Sequence, residues 1–597
     1  MKMKLSDYVA QKVVELGIEH VFMVTGGGAM HLNQSLGTHA ELECIFNHHE
    51  QACAMAAEAY ARLTNRPALV NVTSGPGSIN ALNGVYGAWT DSIPMLVISG
   101  QVKYQTTVRS TGLALRQYGD QEVDIEPIAS PVTKYCEMVT DPGSIRHHLE
   151  KAFYLAVNGR PGPCWLDIPI DVQGAQIETD TLVAFDPGEL DQPWTHTDLA
   201  QACGDIFAKL SAAQRPVIFA GGGVRLSGRH DAFLKLVDKL GIPVVTGWNA
   251  HDVIWNDHPL YVGRPGTVGD RAGNFVVQNA DVLLVLGSRL NIRQVSYNWS
   301  TFATKAYKIW VDIDELEMKK PTVKGDMVIH ADLTDLLPVL AEHAYEGPQD
   351  AHTQWLAWCR ERRQKYPVVL AEYWDNEKIN PYCFMERLFE CLEDGQIVVS
   401  ANGSACVIGF QVANLKRNQR LWTNSGCASM GYEIPAAIGA YKGSGDKPVV
   451  CIAGDGSIMM NLQELQTIVG NKLAIKIFII NNQGYSSIFQ THRNFFNGVE
   501  VGAGPSSGVT FPDFSKLAIA FELPYFTCAT HDEMADAIAQ TMASDGPAIC
   551  EIMVDQNQPF APKLSSKQLP DGTIVSPSLE DMSPFLSEQE MKENMLD

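Results

Sequence analysis

The sequence lacks long hydrophobic runs and closely paired cysteines. No apolar run approaches the roughly 20 residues that a membrane-spanning helix needs. The 13 cysteines include no C-x-x-C pair and no zinc spacing, which is typical of reduced thiols in an intracellular protein. The start, MKMKLSDYVAQKVVELG, has no apolar core of a signal peptide. We therefore expect a soluble, cytoplasmic protein without a membrane partner.

Basic residues are scarce relative to acidic ones. The formal net charge is −23, from 45 lysines and arginines against 68 aspartates and glutamates. Such a chain is a poor partner for nucleic acid, although local basic residues can still line a cleft for an anionic substrate. At 597 residues the chain also exceeds what one hydrophobic core supports, so we expect roughly two to four domains.

Short apolar runs alternate with helical patterns, which predicts an α/β fold of three doubly wound parallel-sheet domains. We expect these domains at residues 1–175, 195–345 and 375–555. Residues 175–195 are acidic and contain prolines, which indicates a linker. Residues 556–597 lack a core pattern and are expected to form a C-terminal tail or a lid. The predicted strands are HVFMV, ECIFN, ALVNVTS, MLVISG and CWLDIP, then PVIFAGG, PVVTG, DVLLVLGS, KIWVDID and MVIHAD, and finally PVVCIA and IKIFII.

Two oxygen-bearing side chains follow neighbouring predicted strands of the third domain. PVVCIA leads into Gly454-Asp455-Gly456, IKIFII leads into Asn481-Asn482, and MNLQELQTIVG between them has helical spacing. Asp455 and Asn482 are 482 − 455 = 27 residues apart, close to one strand–helix–strand unit. Ligands of open α/β sheets lie at such strand ends, and carboxylate and amide oxygens suit Mg²⁺. A lone GDG sequence is usually only a turn. The prediction of a magnesium site therefore depends on GDG and Asn481-Asn482 both following predicted strands at this spacing.

A second candidate site lies in the first domain, in the run NHHEQACAMAAEAYAR. Glu50 opens a helix dominated by alanine, whose small side chains permit close packing. We therefore expect its carboxylate in a crowded, poorly hydrated interface. The alternative is a glutamate that only favours the helix dipole. Glu58 and Arg62 are an i, i+4 pair, for which we expect a solvated contact or a contact at the rim of a dimer.

Glycine-rich turns follow several predicted strands. Gly26-Gly27-Gly28 follows the first strand of the chain, and Ser74-Gly75-Pro76-Gly77-Ser78 follows the third. Free N–H groups there can receive a phosphate or a developing oxyanion, although ordinary strand-to-helix turns use glycine too. In the second domain, GGGVR does not match the dinucleotide fingerprint, so NAD binding has no support.

Taken in order, these motifs resemble the thiamine-diphosphate (ThDP) enzymes of the acetohydroxyacid (acetolactate) synthase-like branch. The resemblance covers about residues 1–555, and it implies a pyrimidine-binding first domain, a central Rossmann-like domain and a diphosphate-binding third domain. It further implies ThDP and Mg²⁺ as cofactors. The resembling segments are HEQ…YAR, TSGPGSINALNGVYGAWTDSIPMLVISGQV, GDQEVDI, NGRPGPCWLDIPIDVQ, TNSGCASMGYEIPAAIGA and GDG…NN.

The resemblance implies roles for single residues. Glu50 hydrogen-bonds the cofactor's aminopyrimidine and promotes its reactive tautomer. Gly28 is a backbone donor on the oxyanion side, and Gln121 is a polar residue near the reacting centre. Met430 wedges the cofactor into its bent form. The other implied residues are the Mg²⁺ ligands Asp455, Asn482 and Gly484, the last through its carbonyl, and the cofactor-binding Ala428, Gly454, Gly456 and Ser457.

In this branch the central domain also holds FAD as a structural requirement, and the resemblance extends FAD to this chain. Acidic residues after strands can take ribose hydroxyls, and arginines can meet a pyrophosphate. One departure is GRPGTVGDR, which stands where the family usually has a loop bearing methionine and histidine. The implied FAD positions are Arg160, Gly222, Gly223, Thr246, Gly287, Arg289, Arg293, Asp312 and Asp332.

The implied activity is decarboxylation of a 2-keto acid, with pyruvate expected, and ligation of the two-carbon unit to a second carbonyl compound. The residues Gly403-Ser404-Ala405-Cys406 replace the family's G-Q-H-Q segment, and Thr491 stands near its selecting tryptophan, so a different acceptor remains open. The alternatives are acetyl-unit transfer to a keto-sugar, simple decarboxylation, and an inactive cofactor-binding paralogue. The family joins the Glu50 site and the metal site across two subunits, which implies a homodimer or a homotetramer.

Overall fold

The computed structural model of the chain describes residues 1–190, 198–568, 571 and 573–596. It contains three six-stranded parallel sheets, which lie in the order of the three predicted domains and have helices on both faces. The predicted fold class is therefore confirmed. Part of the predicted linker and the start of the predicted central domain fall on residues 191–197, outside the described residues. Among the helices of the described ranges, none combines the length and the apolarity that crossing a membrane requires.

The central strands of the amino-terminal sheet are buried throughout, as a parallel sheet covered on both faces requires. The elements of this domain are β1 (Lys2–Lys4), α1 (Leu5–Glu15), β2 (His20–Met23), α2 (Met30–Gly37), β3 (Glu43–Phe46), α3 (Glu50–Thr64), β4 (Leu69–Val72), α4 (Pro76–Asp91), β5 (Met95–Gln101), α5 (Val108–Thr111), α6 (Glu126–Ala129), β6 (Tyr135–Met138), α7 (Ile145–Val157), β7 (Pro163–Pro169), α8 (Ile170–Gln173) and β8 (Gln176–Glu178). The sheet has the order β3-β2-β4-β5-β7-β6, which reverses between β2 and β4. The sequence did not predict the edge strand β6, because YCEM is short and half polar.

The central sheet has the same plan. Its domain contains α9 (Leu199–Ala212), β9 (Pro216–Ala220), α10 (Gly223–Leu226), α11 (His230–Leu240), β10 (Val244–Thr246), β11 (Tyr261–Gly263), α12 (Arg271–Asn279), β12 (Val282–Leu286), α13 (Ile292–Val295), β13 (Tyr307–Asp312), α14 (Glu315–Lys319), β14 (Met327–His330) and α15 (Leu333–Glu342). The strand order β11-β10-β9-β12-β13-β14 reverses between β9 and β12. The short edge strand β11 was not predicted. The connector helix α16 (Gln349–Lys365) leads to the third domain.

The third sheet has the order β16-β15-β17-β18-β20-β19 and reverses between β15 and β17. Its domain contains α17 (Pro381–Cys391), β15 (Ile397–Ser400), α18 (Ser404–Val412), β16 (Arg420–Trp422), α19 (Glu433–Gly443), β17 (Val449–Gly454), α20 (Glu464–Gly470), β18 (Ile475–Asn481), α21 (Ser486–Phe495), α22 (Phe514–Ala520), β19 (Tyr525–Cys528), α23 (Met534–Ala543) and β20 (Ala548–Met553). The helix predicted between the two motif strands is shorter than its pattern, because a 3₁₀ turn, Ile458–Met460, precedes α20.

The two outer domains pack against each other through helices rich in small residues. The alanine-rich helix α3 lies between α4 of its own domain and α19 of the third domain. A Cβ atom on Gly439 would lie 1.9 Å from the carbonyl oxygen of Ala56, and one on Gly84 would lie 2.5 Å from Ala54 Cβ. A larger residue at either glycine would push these helices apart. The close packing expected for the helix that Glu50 opens is therefore present.

The carboxyl-terminal segment is docked on the central domain. It includes β21 (Lys567–Gln568), β22 (Ile574–Val575) and α24 (Glu588–Asn594), while residues 569, 570, 572 and 597 lie outside the described residues. Asn274 Nδ2 donates to the carbonyl oxygen of Leu579 at 2.8 Å, and Asn279 Nδ2 donates to that of Asn594 at 2.8 Å. Both asparagines lie on α12 and are fully buried. This segment is thus held by buried hydrogen bonds rather than loosely attached.

Candidate active site

The Asp455 loop lies at the carboxyl end of the third sheet, beside the point where the strand order reverses. Asp455 is 2% exposed. Its carboxylate oxygens accept hydrogen bonds from Gly456 N at 2.8 Å and Gly484 N at 3.0 Å. Burial raises the pKa of Asp455 to about 7, although these backbone bonds favour the ionised form. The fold thus fixes one carboxylate where open α/β sheets bind ligands.

Asn482 and Gly484 bring two more polar groups to this carboxylate. In one orientation of its amide, Asn482 donates through Nδ2 to Ser486 Oγ at 2.6 Å. The amide oxygen then lies 3.2 Å from Asp455 Oδ1 and 2.7 Å from the carbonyl oxygen of Gly484. In the reversed orientation, the amide nitrogen donates to these two oxygens and the amide oxygen accepts from Ser486. Either way, the three predicted ligand groups are adjacent.

The first orientation fits a small divalent cation. Three oxygens this close repel one another unless a proton or a cation lies between them. An octahedral Mg²⁺ ion with ligands at about 2.0–2.1 Å sets neighbouring oxygens about 3 Å apart. The observed separations of 2.7 and 3.2 Å bracket that value. The Asn482 amide oxygen is therefore spaced from the oxygens of Asp455 and Gly484 as neighbouring ligands of one magnesium ion would be.

The segment that carries Met430 is tied to the Asp455 loop. Ser457 Oγ accepts from Gly431 N at 2.8 Å, and Asn461 Nδ2 donates to the carbonyl oxygen of Gly431 at 2.8 Å. Ser457 is buried, whereas Met430 is partly exposed. The structure therefore brings together, at one end of one sheet, all the predicted residues of the third domain: Ala428, Met430, Gly454, Asp455, Gly456, Ser457, Asn482 and Gly484.

Ala428 has a left-handed backbone conformation, with φ of +59°. This conformation costs an L-residue about 1–2 kcal/mol. Its N–H donates to the carbonyl oxygen of Asn424 at 2.7 Å. Asn402 Nδ2 donates to the carbonyl oxygen of Ser429, the next residue, at 2.8 Å. Backbone strain that persists because neighbouring bonds enforce it is typical of ligand sites.

Glu50 opens α3 at the corresponding end of the first sheet and is half-buried. Its Oε2 accepts from Asn80 Nδ2 at 3.0 Å. Its Oε1 faces the start of α4, where a Cβ atom on Gly77 would lie 3.4 Å away. Within the described residues, no hydrogen bond to Oε1 is formed. One carboxylate oxygen is thus held, and the other is available to a partner from outside.

Gly28 and Gln121 lie at the same end of the first sheet, but the backbone of Gly28 is engaged. Its N–H donates to Thr73 Oγ1 at 3.0 Å, so the free backbone donor expected there is already used. The reason is the strand-order reversal, which places the turns after β2 and β4 side by side. Gln121 has φ of +60°, and its carbonyl oxygen would lie 2.3 Å from a Cβ atom on Gly75. Gln121 therefore packs directly on the second glycine turn.

The Glu58–Arg62 pair is buried, so the expectation of a solvated contact is wrong. The side chains are 1% and 10% exposed. Arg62 also pairs with Asp91 at 2.8 Å. From the third domain, the Tyr432 hydroxyl donates to Glu58 and accepts from Trp422 Nε1 at 3.1 Å. An i, i+4 spacing does not reveal which helix face another domain covers.

The Glu50 site and the Asp455 site remain separate within one chain. Among the described residues, no hydrogen bond or ion pair joins Glu50 to the Asp455 loop. The two domains are joined by other pairs: Ser429 Oγ donates to Asn83 Oδ1 at 2.5 Å, and Asn47 Nδ2 donates to Glu464 at 2.9 Å. We call these two groups of residues the two candidate half-sites.

A cleft lies where the three domains meet, at the carboxyl end of the central sheet. It contains about 1430 Å³ of space not filled by protein atoms, including its open mouth. The glycine turns after β9 and β12 meet there, since Gly223 N donates to the carbonyl oxygen of Gly287 at 3.0 Å. Seven of the nine predicted FAD residues line the cleft: Arg160, Gly222, Gly223, Gly287, Arg289, Asp312 and Asp332.

Charged groups of this cleft are partly paired with one another. Arg160 donates to Asp314 at 2.7 Å and to Glu317 at 3.0 Å. Although burial opposes it, the bond from Arg160 holds the pKa of Asp314 below its usual value. Burial raises the pKa of Asp312 to about 6. The charge of Arg160 is thus already balanced by two carboxylates of the protein.

Two predicted FAD residues do not line the cleft. Thr246 is fully buried, and its Oγ1 lies 3.1 Å from His251 Nδ1. The guanidinium of Arg293 lies 4.7 Å from the ring centroid of Trp248. Trp248 lines the cleft, so Arg293 contacts a residue of the cleft without lining the cleft itself.

Sequence reasoning missed several residues that position the candidate groups. Asn80 and Thr73, which bond Glu50 and Gly28, both lie in the quoted TSGPGSIN motif, but nothing in that motif indicates their partners. Ser486 could have been found, because it lies one helical turn after Asn482. Glu433 carried a signal as well, because the family's MGFG has glycine at this position of MGYE.

Family models for thiamine pyrophosphate enzymes match the chain in three places: the N-terminal TPP binding domain at residues 3–128, the central domain at 204–340 and the C-terminal TPP binding domain at 401–552. The acetolactate synthase large subunit of Lactococcus lactis is 31% identical over 564 residues, covering 94% of each chain. In Escherichia coli, the large subunit of isozyme 1 is 29% identical, covering 93% of this chain and 95% of its own. The isozyme 2 large subunit is 30% identical, covering 97% and 100%. The chain therefore belongs to the thiamine-diphosphate enzymes, in the acetolactate synthase-like branch.

Proposed function

We propose that this chain decarboxylates a 2-keto acid, with pyruvate as the expected substrate, and ligates the two-carbon unit to a second carbonyl compound. Relatives named acetolactate synthase align with nearly the whole chain, which supports this reaction. The observation that carries the proposal is the cluster of oxygens from Asp455, Asn482 and Gly484, which suits the Mg²⁺ ion that anchors a diphosphate. The keto-sugar, simple-decarboxylase and inactive-paralogue alternatives gain no support from these relatives.

In this proposal the third domain holds the cofactor. Bound thiamine diphosphate supplies a carbon nucleophile and an electron sink for the decarboxylation. Asp455, Asn482 and the Gly484 carbonyl bind the Mg²⁺ ion. Met430 would wedge the bound cofactor, and the Ala428 carbonyl would accept a hydrogen bond from its amino group. Gly454, Gly456 and Ser457 would hold its diphosphate.

In this proposal the first domain supplies the group that exchanges a proton with the cofactor. Glu50 hydrogen-bonds the aminopyrimidine through its free oxygen while Asn80 holds the other one. Its carboxyl group would be the one to exchange a proton with the bound ring. Gln121 serves as a polar group near the reacting centre. Gly28 can donate to an oxyanion only after Thr73 turns away from its N–H.

The acceptor is the least constrained partner. Thr491 lies on α21 with its side chain exposed, so it cannot give the apolar cover that a tryptophan would. Cys406 is buried in α18, in the segment that replaces G-Q-H-Q. We propose that the acceptor pocket is wider here than in relatives with larger residues at both places. Loss of a bulky wall residue weakens selection by shape.

We also propose that the central cleft holds FAD. Doubly wound sheets bind dinucleotides where the strand order reverses, and the glycine turns there allow a pyrophosphate to approach the backbone. Asp312 can accept a ribose hydroxyl, and Arg160 and Arg289 can meet the phosphates. The test is the visible absorption spectrum of the purified protein, with flavin counted after denaturation. Fully active protein without flavin absorption would contradict this assignment.

A second copy of the chain is proposed to complete the site. On α4, Ile79, Tyr86 and Trp89 are 43%, 43% and 38% exposed. Their spacing of seven and three residues places them on one face of the helix. Covering this face by a partner would bring its Asp455 loop towards Glu50. Light scattering should give a dimer or a tetramer, and an active monomer would contradict the proposal.

The domain boundaries 1–175, 195–345, 375–555 and 556–597 and the cytoplasmic location remain proposals. They are supported by the limits of the three sheets and by the thirteen free cysteines. A cell fractionation and limited proteolysis at the 175–195 linker would test them.

Product identification tests the reaction directly. The protein is incubated with pyruvate, ThDP and Mg²⁺, alone and with a panel of keto acids, aldehydes and keto-sugars, and the products are identified by mass spectrometry. Acetolactate from pyruvate alone is the expected result. Acetaldehyde alone would favour a decarboxylase, product only with a keto-sugar would favour that transfer, and no release of CO₂ would favour an inactive paralogue.

A further inference from the structure

Glu433 is a buried carboxyl group beside the Asp455 loop that the proposed mechanism does not use. It is the first residue of α19 and is fully buried. Its Oε2 accepts from Ser457 Oγ at 2.9 Å. Its Oε1 has no hydrogen-bond partner in the described part of the chain. A buried carboxyl oxygen without a partner is costly, which calls for a function or for a proton.

The surroundings of Glu433 contain no compensating cation. Within the described residues, Glu433 forms no ion pair. The groups that act on its carboxyl are its own backbone N–H, the Ser457 hydroxyl and the N–H of Gly431, and the fully buried thiol of Cys451 on β17 lies nearby. The hydroxyl of Tyr432 turns the other way, towards Glu58. Burial raises the pKa of Glu433 to about 7, and the favourable bonds from its own backbone N–H, from Ser457 and from the N–H of Gly431 offset this only in part. The carboxyl group therefore gains and loses its proton near neutral pH.

The Ser457 hydroxyl can donate a hydrogen bond to the diphosphate in only one of the two protonation states of Glu433. With Glu433 ionised, the Ser457 hydroxyl donates to Glu433 and offers only lone pairs elsewhere. With Glu433 protonated, the carboxyl group can donate to Ser457 Oγ, which also accepts from Gly431 N. The Ser457 proton is then free to point at an acceptor. Protonation also removes a negative charge from beside a diphosphate seat.

We propose that Glu433 is a positioning residue that must carry a proton for Ser457 to donate to the cofactor's diphosphate. This inference rests on the proposed binding of ThDP at the Asp455 loop. It adds a pH response to that binding: ThDP binding takes up a proton at Glu433. Affinity is therefore full below the pKa of Glu433 and declines as the pH rises through it.

The test compares the ThDP affinity of the wild-type protein and Glu433→Gln across pH. The Kd for ThDP is measured at saturating Mg²⁺ by quenching of tryptophan fluorescence, from pH 6 to 8.5. A glutamine amide can donate to Ser457 at every pH, so it mimics the protonated acid. The ratio of wild-type to variant Kd should be close to one at pH 6 and about ten at pH 8, for a pKa of about 7. Titration of Asp455 and of ThDP itself is common to both proteins and cancels in the ratio.

Matched controls separate this role from a structural one. Glu386 on α17 is half-buried with a raised pKa but lies outside the Asp455 loop, so Glu386→Gln should leave the pH profile of the Kd unchanged. If Glu433→Gln fails to fold, Ser457→Ala replaces it, because removal of the hydroxyl should weaken binding at pH 6 and flatten the profile. A ratio that stays constant from pH 6 to 8.5 overturns the inference alone. Failure of the wild-type protein to bind ThDP at any pH overturns the proposed function instead.

Discussion

The two candidate half-sites each place a carboxylate at the carboxyl end of a parallel sheet, but the two carboxylates differ in burial and in hydrogen bonding. Asp455 and Glu50 each lie at the carboxyl end of a parallel sheet, near its strand-order reversal. Asp455 is buried, and backbone N–H groups hold both of its oxygens. Glu50 is half-buried and bonded by one amide, which leaves one oxygen free. A fixed carboxylate suits a metal ligand, whereas a free oxygen suits a group that exchanges protons with a cofactor.

Of the substitutions that test this difference, Glu50→Gln should have the largest effect on turnover. Glutamine keeps the size of the side chain but cannot transfer the proton, so kcat for pyruvate consumption should fall by about 10²–10⁴-fold. The Kd for ThDP should change by less than about tenfold, since the metal seat is untouched. Turnover and fluorescence titration are measured on the same preparation. Glu41→Gln, at an exposed position just before β3, is the control and should match the wild type. Persisting activity in Glu50→Gln would remove Glu50 from the proton transfer.

Asp455→Asn should give the complementary result, with binding lost rather than turnover alone. Changes to residues around a metal site already cost about 10–100-fold in affinity, so loss of a ligand should cost at least about 100-fold. The Kd for ThDP is measured as a function of Mg²⁺ concentration. Asp394→Asn, at an exposed position before β15, should leave this titration unchanged. Wild-type affinity in Asp455→Asn would place the metal elsewhere.

Tyr432→Phe tests the buried contact that couples the two half-site domains. Its hydroxyl donates to Glu58 and accepts from Trp422, so its removal leaves buried groups unsatisfied, at a cost of about 1–3 kcal/mol. The melting temperature should fall by a few degrees. Tyr441→Phe on α19, the helix that follows Tyr432, is the control, because the described structure gives its hydroxyl no hydrogen bond. Equal melting temperatures for the two variants would mean that this contact contributes little.

Ala428→Gly should give the smallest effect, and it should be stabilising. Glycine removes the cost of a left-handed φ but makes the unfolded chain more flexible, so a net gain of about 0.5 kcal/mol is expected. Ala437→Gly in the interior of α19 should do the opposite and cost about 1 kcal/mol or more. Both are measured by thermal melting. A loss of stability in Ala428→Gly would show that the alanine methyl group is needed for packing there.

Local patterns predicted the fold and part of the site. Strand–helix alternation gave the three sheets, and residues that follow strands gave Asp455, Asn482 and the glycine turns, because parallel sheets gather strand ends at one edge. Partners from another domain could not be predicted in this way. The cover that Tyr432 gives Glu58 joins residues 374 positions apart, and no periodicity records such a contact. The hydrogen bond that Gly28 N donates to Thr73 Oγ1 depends likewise on how two turns meet.

Glu433 and Thr246 show that resemblance to a family does not predict the surroundings of a residue in the folded chain. Thr246 was placed at the FAD by its position in a motif, yet its hydroxyl faces His251 inside the domain. Glu433 departs from the motif by a single residue, and only its burial beside Ser457 gives that departure a physical meaning. A motif gives the position of a residue along the chain, whereas its neighbours in space determine its chemistry.

The docked carboxyl-terminal segment has a consequence for synthesis on the ribosome. Asn274 and Asn279 are fully buried, and their partners are carbonyl oxygens of Leu579 and Asn594. Those partners are translated about 300 residues later, roughly 15–60 s at ordinary elongation rates. During that interval each asparagine amide can donate only to a carbonyl oxygen of its own domain, that of Gly266 for Asn274 and that of Phe275 for Asn279. The central domain therefore completes its buried hydrogen bonds only after the end of the chain is translated, and a stop codon just before Leu579 should destabilise it.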